Sequence, residues 1–267
     1  VDSRTTSLLF PLSNSICILT DNTVQLPQGV FPGLRLIKTL PLRADEHSVS
    51  PPSLEDFLRA YRELEHEFAA ILVLTISSHL LPVAQVAKQA ALQHGGKAQI
   101  TALDSKQTGP GLGMLAQLGA QAILAGESLI GVEGRIRAAM AHIYTLIHLD
   151  AEDLSRSTLT PAQTNAEEPG PFPLFMLEDG QLAPYKKIRT RRHLLESFQE
   201  FVEEFETPRQ ITFLRGRHSS IHSRPLREIA RERFPKTPFS DMEIPAPLAR
   251  VLGSQAAGVT VMEMPGP

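Results

Sequence analysis

Apolar residues fall into two alternating textures along the first half of the chain. In the first texture nearly every residue of a short run is apolar, as in "ICILT" (16–20), "LRLIKTL" (34–40), "AAILVLTI" (69–76), "AQITALD" (98–104) and "IYTLIHL" (143–149); such runs predict strands. In the second, apolar positions recur every three or four residues. "SLEDFLRAYRELEHEF" (53–68) carries Leu54, Phe57, Leu58, Tyr61 and Leu64 on one helical face. Ser53 is its expected N-cap, and Asp56, three residues on, completes a capping box. Further helices are predicted over 79–93, over the glycine-opened 109–126, and over 128–141. Strands alternating with helices imply a parallel sheet with helices on its faces.

"RSTLTPAQTNAEEPGP" (156–171) interrupts the pattern with turn-forming residues and reads as a long loop. Behind it, "FPLFMLEDGQLAPYKKIRT" predicts two strands around a turn at Glu178-Asp179-Gly180, Asp-Gly being a hairpin signal. A helix (191–206), a strand (209–216), a helix (223–234) and a last strand (257–264) follow. The expected architecture is α/β with two domains. Residues 1–155 form an N-terminal Rossmann-like domain with a parallel sheet, and residues 156–267 a C-terminal domain with a mixed or antiparallel sheet.

Composition narrows the class. Of 267 residues, 42% are hydrophobic and 21% charged, the balance of a globular protein able to bury a sizeable core. A formal charge of -3 gives no general pull toward nucleic acid or anionic membrane. No apolar run approaches the roughly 20 residues of a membrane span. The opening "VDSRTTSLLFPLSNS" lacks an apolar signal region, so a cytoplasmic protein is expected. The one cysteine, Cys17, excludes an intramolecular disulfide and a cysteine zinc cluster, and its apolar neighbours predict a packed core position.

Candidate chemistry gathers where strands end. Ser77 and Ser78 lie between a strand and a helix; either they cap the helix, or they face an anion beside its N-terminus. Asp104 ends the next strand, and Gly109, Gly111 and Gly113 open the helix after it, without the spacing of a dinucleotide or P-loop fingerprint. Thr20, Asp21, Asn22 and Thr23 end the first strand and can bond to their own turn. "YKKIRTRRH" (185–193) is a basic cluster suited to a phosphate or an acidic partner, or simply a solvated face. His218 and His222 are one helical turn apart but have no partnering motif, so no metal site is expected. An enzyme using Ser78 with His79 or Asp104 as base is a further reading, weakened by the lack of a G-x-S-x-G elbow.

In order along the chain, "ILTDNTVQLP", "VSPPSLEDFLRAYREL", "TISSHLLPVAQVAKQAA", "LDSKQTGPGLG" and "LEDGQLAPYKKIRTRRH" resemble the motifs of the DegV family, from about residue 16 to 263. The resemblance implies a two-domain fatty-acid-binding protein with no cofactor and no catalysis of its own. A long-chain fatty acid would lie in an apolar tunnel between the domains, its carboxylate held by Ser77, Ser78 and Ser50. A separate fatty-acid kinase subunit would form the acyl-phosphate, docking near Arg189. Four departures stand out. Val49 occupies the family's threonine position. Leu80, Leu81, Pro82 and Val83 replace L-S-G-T. Val251 stands where the family has a late histidine, and the G-G-R-I segment is reduced to "LSRS", with Arg156 as its arginine. A DegV-fold scaffold or regulatory protein with a lost or changed lipid pocket is the alternative.

Overall fold

The computed structural model describes residues 15–45, 48–156, 159, 161 and 170–263; the side chain of Arg156 is outside this set. Strand β1 (Ile16–Asp21) is buried along its whole length and is followed by β2 (Ile37–Leu40) and the two-residue pair β3 (Arg43–Ala44) and β4 (Val49–Ser50). The apolar run at 34–40 thus splits: residues 34–36 form a 3-10 turn and only the remainder is strand. Helix α1 (Leu54–Leu64) carries the expected capping box, Ser53 and Asp56 each accepting from the other's backbone, a feature worth about 1 kcal/mol. Then come β5 (Ala70–Thr75), α2 (Val83–Gln93), β6 (Gln99–Asp104), α3 (Gly109–Leu124) and α4 (Leu129–Met140).

These elements build a parallel sheet in the order β2-β1-β5-β6. Its central strand, β5, is buried on both faces, which is why "AILVLT" shows no alternation. Helices α1 and α2 cover one face around Phe57, Tyr61, Val73 and Ala87. Helices α3 and α4 cover the other around Leu72, Leu115, Val132 and Ile136. Gly113 lets α3 come close to the loop after β1: a Cβ there would stand 1.8 Å from the Gln25 carbonyl oxygen.

The second sheet has six strands in the order β11-β10-β12-β7-β8-β9. They are β7 (Ile143–His148), β8 (Leu174–Glu178), β9 (Gln181–Pro184), β10 (Gln210–Arg215), β11 (Phe239–Glu243) and β12 (Ala257–Met262). The short α5 (Ala151–Arg156) follows β7, α8 (Ala246–Leu252) precedes β12, and α6 (Arg191–Glu203) and α7 (Arg224–Arg233) pack on one another. Only β10 and β11 are parallel; the other neighbours are antiparallel, so the sheet is mixed. The β8–β9 turn is a tight hairpin with Asp179 and Gly180 both at positive φ.

By sheet membership the chain divides earlier than the expected 155/156. β7 pairs with β12 from Ile143↔Met262 to His148↔Ala257, inside the second sheet. Its buried Thr145 hydroxyl meets that of Thr260 at 3.0 Å. Hydrogen bonds that tie the halves together include Gln25 Nε2 to the Glu243 carbonyl at 2.8 Å and Ser240 Oγ to the Pro27 carbonyl at 3.2 Å.

Candidate functional site

The carboxyl ends of β1, β5 and β6 meet at the Ile76–Leu81 turn, where the apolar run of β5 stops and polar residues take over. Asp21 Oδ2 accepts the Ile76 N–H at 2.6 Å, and Asp104 Oδ2 accepts the Ser78 N–H at 3.2 Å. The Ser77 N–H goes to the Gln107 carbonyl, the His79 N–H to Ser77 Oγ, and the Leu80 and Leu81 N–H groups to the Ser77 carbonyl. Six successive amides are thereby bonded within the protein. The expected free amides beside a helix N-terminus are not found here. Helix α2 starts only at Val83, capped by Pro82 without a side-chain bond, so neither serine caps it. The turn is instead organised by strand-end carboxylates reaching backwards.

The two serines differ. Ser77 is fully buried, and its hydroxyl donates to the Gly180 carbonyl at 2.6 Å, across to the tip of the β8–β9 hairpin. Ser78 is half-buried, and among the described residues its hydroxyl makes no hydrogen bond. Among the described residues Ser78 also has no base bonded to it: Asp104 takes its backbone N–H, and no bond joins its hydroxyl to the exposed His79. A nucleophile needs a base within hydrogen-bond reach, so this arrangement does not favour the enzyme reading.

Burial holds the Asp21 carboxyl above the usual carboxylate range, although bonds from Thr23 and from the Ile76 amide act in the opposite sense. Burial likewise pushes the Cys17 thiol up to about 12, in keeping with its place in the core.

The remaining expected residues are more scattered. Val49 packs against an apolar cluster, whereas Ser50 beside it is exposed. The neighbouring Ser48 hydroxyl is committed to Asp45 at 2.7 Å. Val251, in α8, belongs to the same cluster as Val49, with Leu81 and Val83. The apolar replacements at three separated motifs therefore enter one apolar cluster. The Arg156 side chain falls outside the described residues. Arg189 is exposed just before α6, whose N-cap is Thr190. It follows the base of the hairpin, not the tip that touches Ser77. His218 and His222 are exposed, and no metal-binding group occurs among the described residues.

The apolar cluster runs from the α1–α2 face of the first sheet, through Ile76, Leu80 and Leu81, to Leu149, Phe175, Leu177, Leu182, Leu214 and Leu248 on the second. At its centre Ile76, Val83, Leu149, Phe175 and Leu248 have no exposed surface, so side chains fill it. Behind the hairpin tip lies an open cleft of about 610 Å³, with Met140, Ile143 and Met176 on its floor and Lys106, Arg137 and Asp179 at its rim. The motifs included the hairpin tip and Val251 of α8, but not what either would touch. The Asp-Gly turn was visible in sequence, but not the serine it would meet.

The sequence profile of the DegV family, described as uncharacterised protein, matches residues 35–156. A search of curated protein sequences found no match. Among solved structures, a fatty acid binding DegV family protein from Streptococcus agalactiae superposes with a TM-score of 0.79 at 17% identity, covering 94% of this chain and 100% of that one. DegV from Bacillus subtilis, described as a fatty acid binding protein, gives 0.80 at 17% identity with the same coverage. A DegV family protein from Eubacterium eligens loaded with heptadecanoic acid gives 0.74 at 15% identity, covering 94% of this chain and 100% of that one. At these identities the structural likeness is one of fold. The DegV family profile thus matches residues 35–156, and over nearly its whole length the chain has the fold of solved DegV family proteins.

Proposed function

We propose that this protein binds a long-chain fatty acid at the junction of its two sheets, with the carboxylate at Ser78 and, once the hairpin tip gives way, at Ser77. The observation that carries this reading is the single apolar cluster that crosses from one sheet to the other and ends at a turn with two serines. Each buried CH₂ contributes about 0.8 kcal/mol, so even part of an acyl chain confers useful affinity. The solved DegV proteins described as fatty acid binding, or loaded with heptadecanoic acid, support the ligand class. Ser50 and Arg156 are the further proposed contacts, reached from the cluster's β4 and α5 sides. The proposed role is to present the acid to a kinase subunit, with no chemistry by this chain and with Arg189 at the docking surface. The direct test is native mass spectrometry with lipid extraction: a bound fatty acid, or stoichiometric uptake of oleate, is expected. A protein that takes up none defeats the reading.

A second reading is favoured by one specific observation. Val49, Leu81, Val83 and Val251 join one apolar cluster where the family motifs carry polar side chains, and the junction's centre is filled. A DegV-fold scaffold or regulatory protein with an altered pocket fits that cluster. A protein that takes up no lipid in the same experiment supports it.

A further inference from the structure

We propose that the tip of the β8–β9 hairpin is a lid that competes with the lipid for the Ser77 hydroxyl, so that lid docking and lipid binding exclude one another. This inference rests on the fatty-acid reading and adds the regulation of its site. A serine hydroxyl has one proton to donate, and here the Gly180 carbonyl receives it at 2.6 Å. A carboxylate taking that proton must displace Gly180.

The hairpin is built to be displaced. It forms the edge of the second sheet, and β8 pairs with β7 only at Leu174, Phe175 and Met176. From Leu177 to Leu182 the two strands pair only with each other. An isolated two-stranded ribbon is marginal in water, so this end is held by what it docks on. Leu177 and Leu182 dock in the apolar cluster that also contains Leu80 and Leu81, covering the proposed lipid position. The outer clasp is the Lys106–Asp179 ion pair at 2.7 Å, with both side chains exposed, a contact of low strength. On the other side of the tip, residues 177–180 line the 610 Å³ cleft, which gives the lid room to swing into.

Docking also demands glycine. Gly180 has φ +86, and a Cβ there would stand 2.5 Å from Ser77 Oγ and 3.1 Å from Lys106 Cα. Backbone meets hydroxyl with nothing between them, an arrangement that a side chain at this position prevents.

The experiment pins the lid. Lys106→Cys with Asp179→Cys is joined by a short bis-maleimide; Cys17 is buried and its thiol is held protonated, so the bridge forms at the new pair. Oleate uptake is followed by native mass spectrometry. The unjoined double variant should bind as wild type does, and the joined protein should take up oleate at least about tenfold more slowly. Equal uptake by joined and unjoined protein overturns the lid. If neither wild type nor the unjoined variant binds oleate, the fatty-acid reading fails and the competition fails with it. Docking of the tip is judged separately, without lipid, by hydrogen exchange. Ser77→Ala should speed exchange across residues 177–182 by about threefold to tenfold. Unchanged exchange shows that Ser77 does not hold the tip, and overturns the lid independently of any ligand.

Discussion

Ser77 and Gly180, 103 positions apart, are joined by a 2.6 Å hydrogen bond from the serine hydroxyl to the glycine carbonyl, inside the protein. The bond links the carboxyl end of the central parallel strand to the edge hairpin of the other sheet. It sets the two adjacent serines apart, Ser77 committed as a donor while the tip is docked and Ser78 with a hydroxyl that no described residue bonds.

That separation predicts opposite phenotypes. Ser77→Ala leaves a buried carbonyl without its donor and should lower stability by about 1–3 kcal/mol. Ser78→Ala should leave stability within about 0.5 kcal/mol of wild type. It should weaken oleate binding by about tenfold or more, since a hydrogen bond to a charged group is worth about 1.5–3 kcal/mol. Urea midpoints and oleate titrations measure the two effects. A stability loss in Ser78→Ala equal to that of Ser77→Ala refutes the division.

Val49→Thr places a hydroxyl against the apolar cluster that contains Val251 and Leu80. Without lipid it should cost about 1 kcal/mol, because the hydroxyl gives up water. With oleate it should tighten binding by about 1 kcal/mol if the carboxylate lies within reach. Thermal melts with and without oleate read both signs. An unchanged affinity places the carboxylate away from position 49.

Asp21 makes stability depend on pH. Its buried carboxyl is raised, so the folded protein holds that proton more tightly than the unfolded chain does. The stabilisation from this group is complete below about pH 4, the ordinary aspartate value, and is lost as pH rises through the folded value. Asp21→Asn removes the titration. The stability of wild type relative to Asp21→Asn should therefore decline from acid toward neutral pH. Denaturant midpoints across that range test the sign; a difference that grows with pH contradicts it.

Cys17 is fully buried, with its thiol pushed up to about 12. The thiolate is the reactive form, so native protein should resist maleimide at neutral pH and react fully once unfolded in urea. Fast labelling of the folded protein would show that β1 opens locally.

Delivery to a kinase is tested by reconstitution with a fatty-acid kinase subunit. Wild type should support acyl-phosphate formation. Arg189→Ala, altering an exposed residue beyond the hairpin base, should reduce it without changing oleate affinity. Bound oleate with no phosphorylation in wild type removes the delivery role.

Local features of this protein were legible because their causes are local. The unbroken apolar run of β5, the Ser53–Asp56 capping box and the Asp179-Gly180 turn depend on near neighbours, and each formed as its residues dictate. Boundaries slipped where competing short-range contacts intervened, as at α2, whose start is delayed to Val83 while Asp21, Gln107 and Asp104 hold the turn before it. β11 went unrecognised because this edge strand, "FSDME", has no fully buried face, and α8 because prolines mark its start.

The tertiary structure alone decided which sheet β7 joins and where Ser77 points. Apolar patterning makes "IYTLIH" a strand, but its partner is chosen by β12, more than a hundred residues later. The motif "TISSHLL" offers two hydroxyls at a strand end, but only the docking of a distant hairpin commits one of them. Likewise Val49, Leu81 and Val251 are three separate changes along the chain, and become members of one apolar cluster when the two sheets close. Periodicity follows from the backbone geometry of neighbouring residues, whereas these outcomes depend on which surfaces remain to be buried once the elements have formed.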